Sequence, residues 1–289
     1  MPELPEVETT LRGIRPHLEG RRIARLIVRN PRLRQPIPPE MPERVAGQTI
    51  RSLRRRSKYL LIGLEHGSLL VHLGMSGSLR VVTAGSPPRT HDHLDLILSD
   101  GGILRFHDPR RFGIFLWISM SPEIALVEHP LLCRLGPEPL ENDFTGEHLY
   151  RSSRSRRVAV KSFIMDSAVV VGVGNIYASE SLFLAGLHPA RACNRIDQGG
   201  YERLAETIRL VLRASIEQGG TTLRDFVNES GAPGYFAQSL RVYGRAGESC
   251  RICGTLIRQQ KIGQRSSFHC PHCQPQAIDA GSAAFFDEE

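Results

Sequence analysis

Four of the six cysteines fall in two pairs near the end of the chain: Cys250-x2-Cys253, then 16 residues (254–269), then Cys270-x2-Cys273. Two such knuckles let four thiolates close a tetrahedron on zinc, with no position left open for chemistry. The expected site is therefore structural, and its binding energy acts as folding energy for a segment too short to build its own core. A redox pair or an iron–sulfur site would use the same residues and stands as the alternative. Paired spacing in a chain without secretory features reads as metal rather than disulfide. Cys133 and Cys193 stand apart, and buried structural thiols are the default for such residues. Arg258, Lys261 and Arg265 lie between the knuckles, so the hairpin they enclose carries positive charge.

The 289 residues have a formal net charge of +7. Lys and Arg gathered on one face release counterions when they meet phosphate, so the excess favours a polyanionic partner; a merely basic surface is the plainer reading. With 40% hydrophobic and 23% charged residues, the composition is that of an ordinary globular protein. The length suits two domains or one large one. No apolar run approaches the roughly 20 residues of a membrane span. The start, Met1-Pro2-Glu3-Leu4-Pro5-Glu6, is acidic where a secretory signal would be basic and then apolar. Neither a membrane partner nor a secretory route is expected.

Leu4, Val7, Leu11, Ile14 and Leu18 recur at steps of three and four and predict a helix stopped by Gly20. From about residue 22 to 118 the pattern shortens into β-type runs: 23–28, 59–64, 69–73, 79–82, 94–98 and 103–106. Glu65-His66-Gly67 and Asp100-Gly101-Gly102 read as hairpin turns between neighbouring runs. Many short strands with glycine turns predict an antiparallel β-sandwich over 1–135. Gly136-Pro137-Glu138-Pro139 opens an expected linker, 136–157, with a basic stretch at its end. Residues 158–240 are helical in pattern, and Leu204, Ile208, Val211, Leu212 and Ile216 line one face of the clearest helix. The cysteine hairpin occupies 241–273, and 274–289 is expected to be a disordered acidic tail. The fold class is α+β and multidomain.

Pro2 becomes a terminal secondary amine once Met1 is removed, as is general before a small residue. Such an amine attacks an aldehyde-like carbon to give a cationic iminium, an electron sink for elimination. An unperturbed α-amine has a pKa of about 7.7–8.0, so part of it is nucleophilic at neutral pH. Glu3 and Glu6, three apart on the first turn, could shuttle protons. Taken alone, the same residues read first as a simple helix start, with proline early and acids in the first turn.

The run from Pro2 to Thr9 (Pro-Glu-Leu-Pro-Glu-Val-Glu-Thr) closely resembles the start of bacterial formamidopyrimidine-DNA glycosylases. The likeness continues through Lys58-Tyr59-Leu60, His72-Leu73-Gly74-Met75-Ser76-Gly77 and Asp108-Pro109-Arg110-Arg111-Phe112-Gly113. It runs on through Gly172-Val173-Gly174-Asn175-Ile176-Tyr177-Ala178 and Gly234-Tyr235-Phe236 to the cysteine knuckles. It thus covers residues 2–273 in the family's order, and several unlinked motifs make accident a poor explanation.

The resemblance implies a glycosylase and abasic-site lyase of base excision repair that removes oxidised purines (8-oxoguanine, formamidopyrimidines) and cuts the strand by β,δ-elimination. By the same resemblance Pro2 is the nucleophile, Glu3 the proton donor that opens the sugar, and Glu6 the support of the terminal helix. Lys58 matches the lysine of acid–base work and β-elimination, and Arg265 the arginine of δ-elimination. A flipped nucleotide leaves a gap in the duplex. Met75, Arg110 and Phe112 match the residues that fill it, and wedges of this kind hold a duplex kinked. His72, His91, Asn175 and a basic residue among Arg154, Arg156 and Arg157 would grip phosphates, with Asn175 in a helix–two-turn–helix element. His91 reads equally as a strand-end surface histidine, and the run Arg54-Arg55-Arg56 ahead of Lys58 reads equally as a phosphate site. The implied partner is double-stranded DNA with an oxidised base, the cofactor one zinc ion, the location a bacterial cytoplasm at the nucleoid. Nothing suggests more than a monomer.

Ser167 departs from the family pattern, standing where a larger amide residue is expected near the substrate pocket, and the tail after Cys273 is longer than usual. The related endonuclease VIII class prefers oxidised pyrimidines, but its terminus would read Pro-Glu-Gly-Pro-Glu, against Leu4 here. Retention of Met1 would cap the amine and leave a non-catalytic, zinc-dependent DNA binder.

Overall fold

A computed structural model describes residues 2–221 and 236–276; Gly234, Tyr235 and the tail from residue 277 lie outside the described residues. The apolar stripe at the start forms α1 (Leu4–Leu18). Glu3 N–H donates to Glu6 Oε2 at 2.7 Å and so occupies one donor that a helix start leaves open. Gly20, at φ 79°, turns the chain into the strands. The stripe is divided between two cores: Val7, Leu11, Ile14 and Leu18 join the sandwich, while Leu4 joins the helical half.

The first half then runs β1 (Ile23–Val28), α2 (Met41–Val45), β2 (Ile50–Arg56), β3 (Tyr59–Leu64), β4 (Ser68–His72), β5 (Ser78–Val82), β6 (Asp92–Leu98), β7 (Ile103–His107), β8 (Ile114–Ile118) and α3 (Pro122–Glu128). The strands form two four-stranded antiparallel sheets, β1-β6-β7-β5 and β2-β3-β4-β8, and both line one core with α1. Gly67 and Gly101 take positive φ at the two turns predicted for them. Two strands escaped the sequence pattern. In β2 a bulge between Ile50 and Ser52 breaks the alternation, so only Ile50 and Leu53 face inward and the rest reads as a cationic run. In β8 five apolar residues are too few for period to distinguish strand from buried helix.

The helical half comprises α4 (Gly146–Ser153), α5 (Val160–Ile164), α6 (Asn175–Leu184) and α7 (Gln198–Glu217), whose predicted face of Leu204, Ile208, Val211, Leu212 and Ile216 is buried. The stretch expected as a linker over 136–157 is not simply a connector. Phe144 and Leu149 of that stretch are buried in the second core, and α4 packs along α7. β9 (Arg258–Ile262) and β10 (Arg265–His269) make the cysteine hairpin. It shares a small core with Phe183 of α6. Gln274, expected in the tail, belongs to this module: its amide accepts from Cys270 N and donates to Leu187 O. No described helix is long and apolar enough to cross a membrane.

Candidate active site and nucleic-acid face

Pro2 is buried immediately ahead of α1, and the two residues after it, Glu3 and Leu4, lie against the glycine-rich run that opens α6. Leu4 N donates to Gly172 O. That run is glycine-rich because the terminus lies on it: a Cβ at Gly172 would stand 2.5 Å from Leu4 Cβ, and one at Gly174 only 2.1 Å from the Glu3 carboxyl carbon. Glu3 Oε1 accepts from Ile176 N in the first turn of α6, while its Oε2 is buried without a partner. Burial lifts the Glu3 carboxyl above its ordinary 4.5, against the pull of Lys58. Burial lowers the Lys58 ammonium in turn, against Glu3 and Glu6. Both groups are thus moved toward their neutral forms.

Glu6 is fully engaged. Its Oε1 accepts from Tyr177 Oη (2.5 Å) and Thr221 N (2.8 Å), and its Oε2 from Glu3 N. It fastens the terminus to α6 and to Thr221, in the segment that follows α7. Burial, with Glu6 beside it, pushes the Tyr177 hydroxyl well above its ordinary value.

Glu3, Lys58, Met75, Ser167, Asn175 and Arg265 border one cleft of about 380 Å³. Arg265, at the start of β10, reaches it from the cysteine hairpin, 207 residues along the chain from Lys58 (265 − 58). Sequence reasoning missed Lys161. Only 1% exposed, it donates to Ser266 O (3.0 Å) and Ser267 Oγ (2.8 Å), and so docks β10 on the helical half. Burial brings its ammonium down to about 8. The available signal was a lone lysine set among Val160, Phe163 and Ile164. Asn175, read as a phosphate contact, also holds the hairpin: its Nδ2 donates to Ser266 O.

The three residues expected to enter DNA sit on two loops clamped together. Buried Asp108 accepts from Ser76 Oγ (2.8 Å), Arg110 N (3.3 Å) and Gly113 N (2.8 Å). Gly74, at φ 66°, lies so close to Phe112 and Gly113 that no side chain fits. Phe112 is 44% exposed, with the Arg110 guanidinium 5.1 Å from its ring centre, and Met75 is half-buried across the clamp. An exposed phenylalanine under a cation leaves a core role unfilled and suits a base stack.

The expected phosphate contacts divide. His72 Nδ1 accepts from Gly74 N, and burial lowers the ring to about 4, so it offers a neutral Nε2–H donor rather than a cation. His91 is exposed in the left-handed region at φ 73°, beside the Asp108 loop. Arg154 is corrected: its guanidinium is spent on the carbonyls of Asn194 (2.9 Å) and Ile196 (2.8 Å) and stacks on Tyr150. Arg156 pairs with Asp166, whereas Arg157 is exposed and makes no ion pair among the described residues. In the run Arg54-Arg55-Arg56, the second and third arginines are likewise engaged within the protein, while Arg54 stays exposed. Arg54 pairs with Glu123, Arg55 with Glu8 and Glu138, and Arg56 with Glu138.

The cysteine site passes a geometric test for zinc. All four Sγ atoms lie within 4.8 Å of one another, with separations of 3.4, 3.5 and 3.9 Å among hydrogen-bonded pairs. Zn–S bonds of about 2.3 Å in a tetrahedron place sulfurs roughly 3.8 Å apart. Four thiolates fill the coordination sphere, so the ion is structural.

Comparison with known proteins agrees over the whole length. Three family models match: the formamidopyrimidine-DNA glycosylase N-terminal domain at residues 1–115, its H2TH domain at 135–227, and the zinc finger found in FPG and IleRS at 247–276. A formamidopyrimidine-DNA glycosylase of Methylococcus capsulatus is 59% identical over 274 residues, covering 95% of this chain and all of the relative. One from Pseudomonas putida is 58% identical over the same shares. Among solved structures, a Lactococcus lactis FPG mutant in complex with a Fapy-dG containing DNA superimposes at TM-score 0.87 and 31% identity, covering 95% of this chain and all of that one. The protein from Thermus thermophilus gives 0.83 at 37% identity, covering 96% and all of that chain. The fold, the cleft and the zinc hairpin together define a DNA glycosylase of base excision repair. More narrowly, the chain belongs to the formamidopyrimidine-DNA glycosylase family, which also has abasic-site lyase activity.

Proposed function

We propose that this enzyme removes oxidised purines, 8-oxoguanine and formamidopyrimidines, from double-stranded DNA through the amine of Pro2 and then cuts the strand. The observation that carries the reading is the meeting, at one cleft beside the buried terminus, of a carboxyl raised by burial and a lysine lowered by it. Pro2 attacks C1′ of a flipped nucleotide, and the base leaves with the glycosidic electron pair. Glu3, whose burial favours the protonated carboxyl, supplies the proton that opens the sugar and leaves the iminium. Lys58 acts near the lesion in acid–base work and in β-elimination, and Arg265 serves the second elimination. Met75, Arg110 and Phe112 fill the vacated stack. His72 donates to phosphate, joined by His91, Asn175, Arg157 and, where its Asp166 pairing yields, Arg156. Four functional units follow: a catalytic sandwich at 1–135, a connector from 136 that leads into the helical DNA-binding part up to 240, and the zinc hairpin at 241–273. Such an enzyme works on the bacterial nucleoid in the cytoplasm.

A second reading concerns the lesion. A wild-type Lactococcus lactis relative is solved with DNA containing an oxidised pyrimidine, and Ser167 leaves the cleft wall small where a larger amide was expected. Borohydride trapping tests both. A duplex with 8-oxoguanine opposite cytosine should give a covalent adduct that disappears in Pro2→Gly. Equal trapping by that variant removes Pro2 as nucleophile, and faster trapping on an oxidised-pyrimidine duplex reverses the substrate order.

A further inference from the structure

Glu138, in the connector after the sandwich, has no part in the proposed chemistry, yet it accepts three hydrogen bonds, two of them from guanidinium groups, where Glu3 at the cleft accepts one. Its Oε1 accepts from Ser57 N at 2.6 Å and Arg56 Nη1 at 3.0 Å, and its Oε2 from Arg55 Nη1 at 2.6 Å. Arg56 Nη2 donates to the carbonyls of Leu135 and Gly136, flanking the same connector. Arg55 Nε reaches Glu8 Oε2 on α1 at 2.9 Å, and its Nη1 also caps Ser57 O. The side chains of Arg55, Arg56, Glu8 and Glu138 are 10–17% exposed. Pairs this sheltered are screened less than surface ones and leave a costly unpaired charge when broken.

Glu138 thus joins the β2–β3 turn, which leads into Lys58, to the connector of the helical half, and through Arg55 it is linked to Glu8 of α1. The turn requires such a hold. Ser57 is buried at φ 56°, a left-handed conformation that L-residues seldom adopt and that persists where surroundings enforce it. Its amide, fixed by Glu138, sets the direction in which the next residue, Lys58, enters the cleft.

We infer that Glu138 is the positioning residue for Lys58, clasping the 57–58 turn to the interdomain connector. The inference rests on the proposed acid–base role of Lys58. Because a misplacement of about 1 Å costs roughly 100-fold in rate, Glu138→Gln should slow single-turnover base release by roughly 10–100-fold. Affinity for an abasic-site duplex should stay within about twofold. Glu138→Asp, which keeps the charge but withdraws it by one methylene, should fall between Glu138→Gln and wild type.

A double-mutant cycle separates positioning from mere stabilisation. In a Lys58→Ala background Glu138→Gln should change the rate less than about twofold, since the group it aims is gone. Independent, multiplying losses would overturn the inference, as would wild-type rates in both Glu138 variants. A wild-type rate in Lys58→Ala alone would instead remove the role of Lys58 on which the inference stands. If circular dichroism shows Glu138→Gln unfolded, the Glu138→Asp cycle decides by the same criteria.

Discussion

At position 72 a histidine is held neutral by its surroundings. Nδ1 accepts from Gly74 N, Tyr59 covers the ring, and burial with Lys58 nearby lowers its pKa to about 4. The unfolded chain takes up this proton near 6.5 and the folded one near 4. The contribution to stability is therefore complete above 6.5 and is lost as pH falls toward 4. A shift of this size corresponds to at most about 3 kcal/mol, reduced here because the ring is not fully buried. His72→Asn should flatten the decline of melting temperature between pH 6.5 and 4; an unchanged decline would assign the acid lability elsewhere. The motif around His72 was legible in the chain, but the charge state was not. Protonation depends on groups from β3 and β4 that come together only on folding. Arg154 makes the same point in the other sense. Its place in a basic stretch suggested phosphate, but carbonyls at 194 and 196 had already taken its donors.

Among elements, α6 shows how a sequence motif becomes a site. The glycines at 172 and 174 precede a helix, which alone suggests an anion cradle. In the structure the group at that helix start is the chain's own Glu3, accepting from Ile176 N. The three atoms nearest a methyl group at 174 all belong to the Glu3 carboxyl, so Gly174→Ala should act chiefly by displacing that side chain, with a smaller effect on melting temperature than on rate. It should slow base release by roughly 100-fold, because the carboxyl must move about 1 Å or more. A large loss of stability with intact chemistry would contradict this account. The zinc hairpin behaves oppositely, since its core is little more than Val242, Ile257 and Phe268 with the buried cysteines. Cys253→Ser should abolish stoichiometric zinc and, with it, DNA affinity, because Arg265 is carried by β10 alone. Full-affinity binding by a variant retaining zinc would refute the link. The strands predicted at 23–28 and 59–64 stand at those limits. The helix α4 was unreadable because a Pro-rich start and flanking arginines disguise a short amphipathic turn whose burial comes from α7.

For the whole molecule the relevant quantity is how the two halves hold a duplex. In the proposed complex the sandwich would present His72, His91 and the Met75–Phe112 loops, the helical half Asn175 and Arg157, and the zinc hairpin Arg265. About six phosphate contacts distributed in this way give a log–log salt slope of roughly −5 for duplex DNA. Titration of binding between 50 and 200 mM salt measures it, and a flat response would mean that binding does not run through phosphate. The sequence by itself determined what depends on local order: the terminal helix, the hairpin turns, the four zinc ligands, and motifs specific enough to name the family. Tertiary structure alone decided which charges remain available. It drew Arg55 and Arg56 onto Glu138, buried Lys161 beneath β10, and set Glu3 against Lys58 so that both lean toward neutrality. Hydrogen bonding and desolvation at these sites are set by residues tens to hundreds of positions apart, and no local pattern in the chain records those distances.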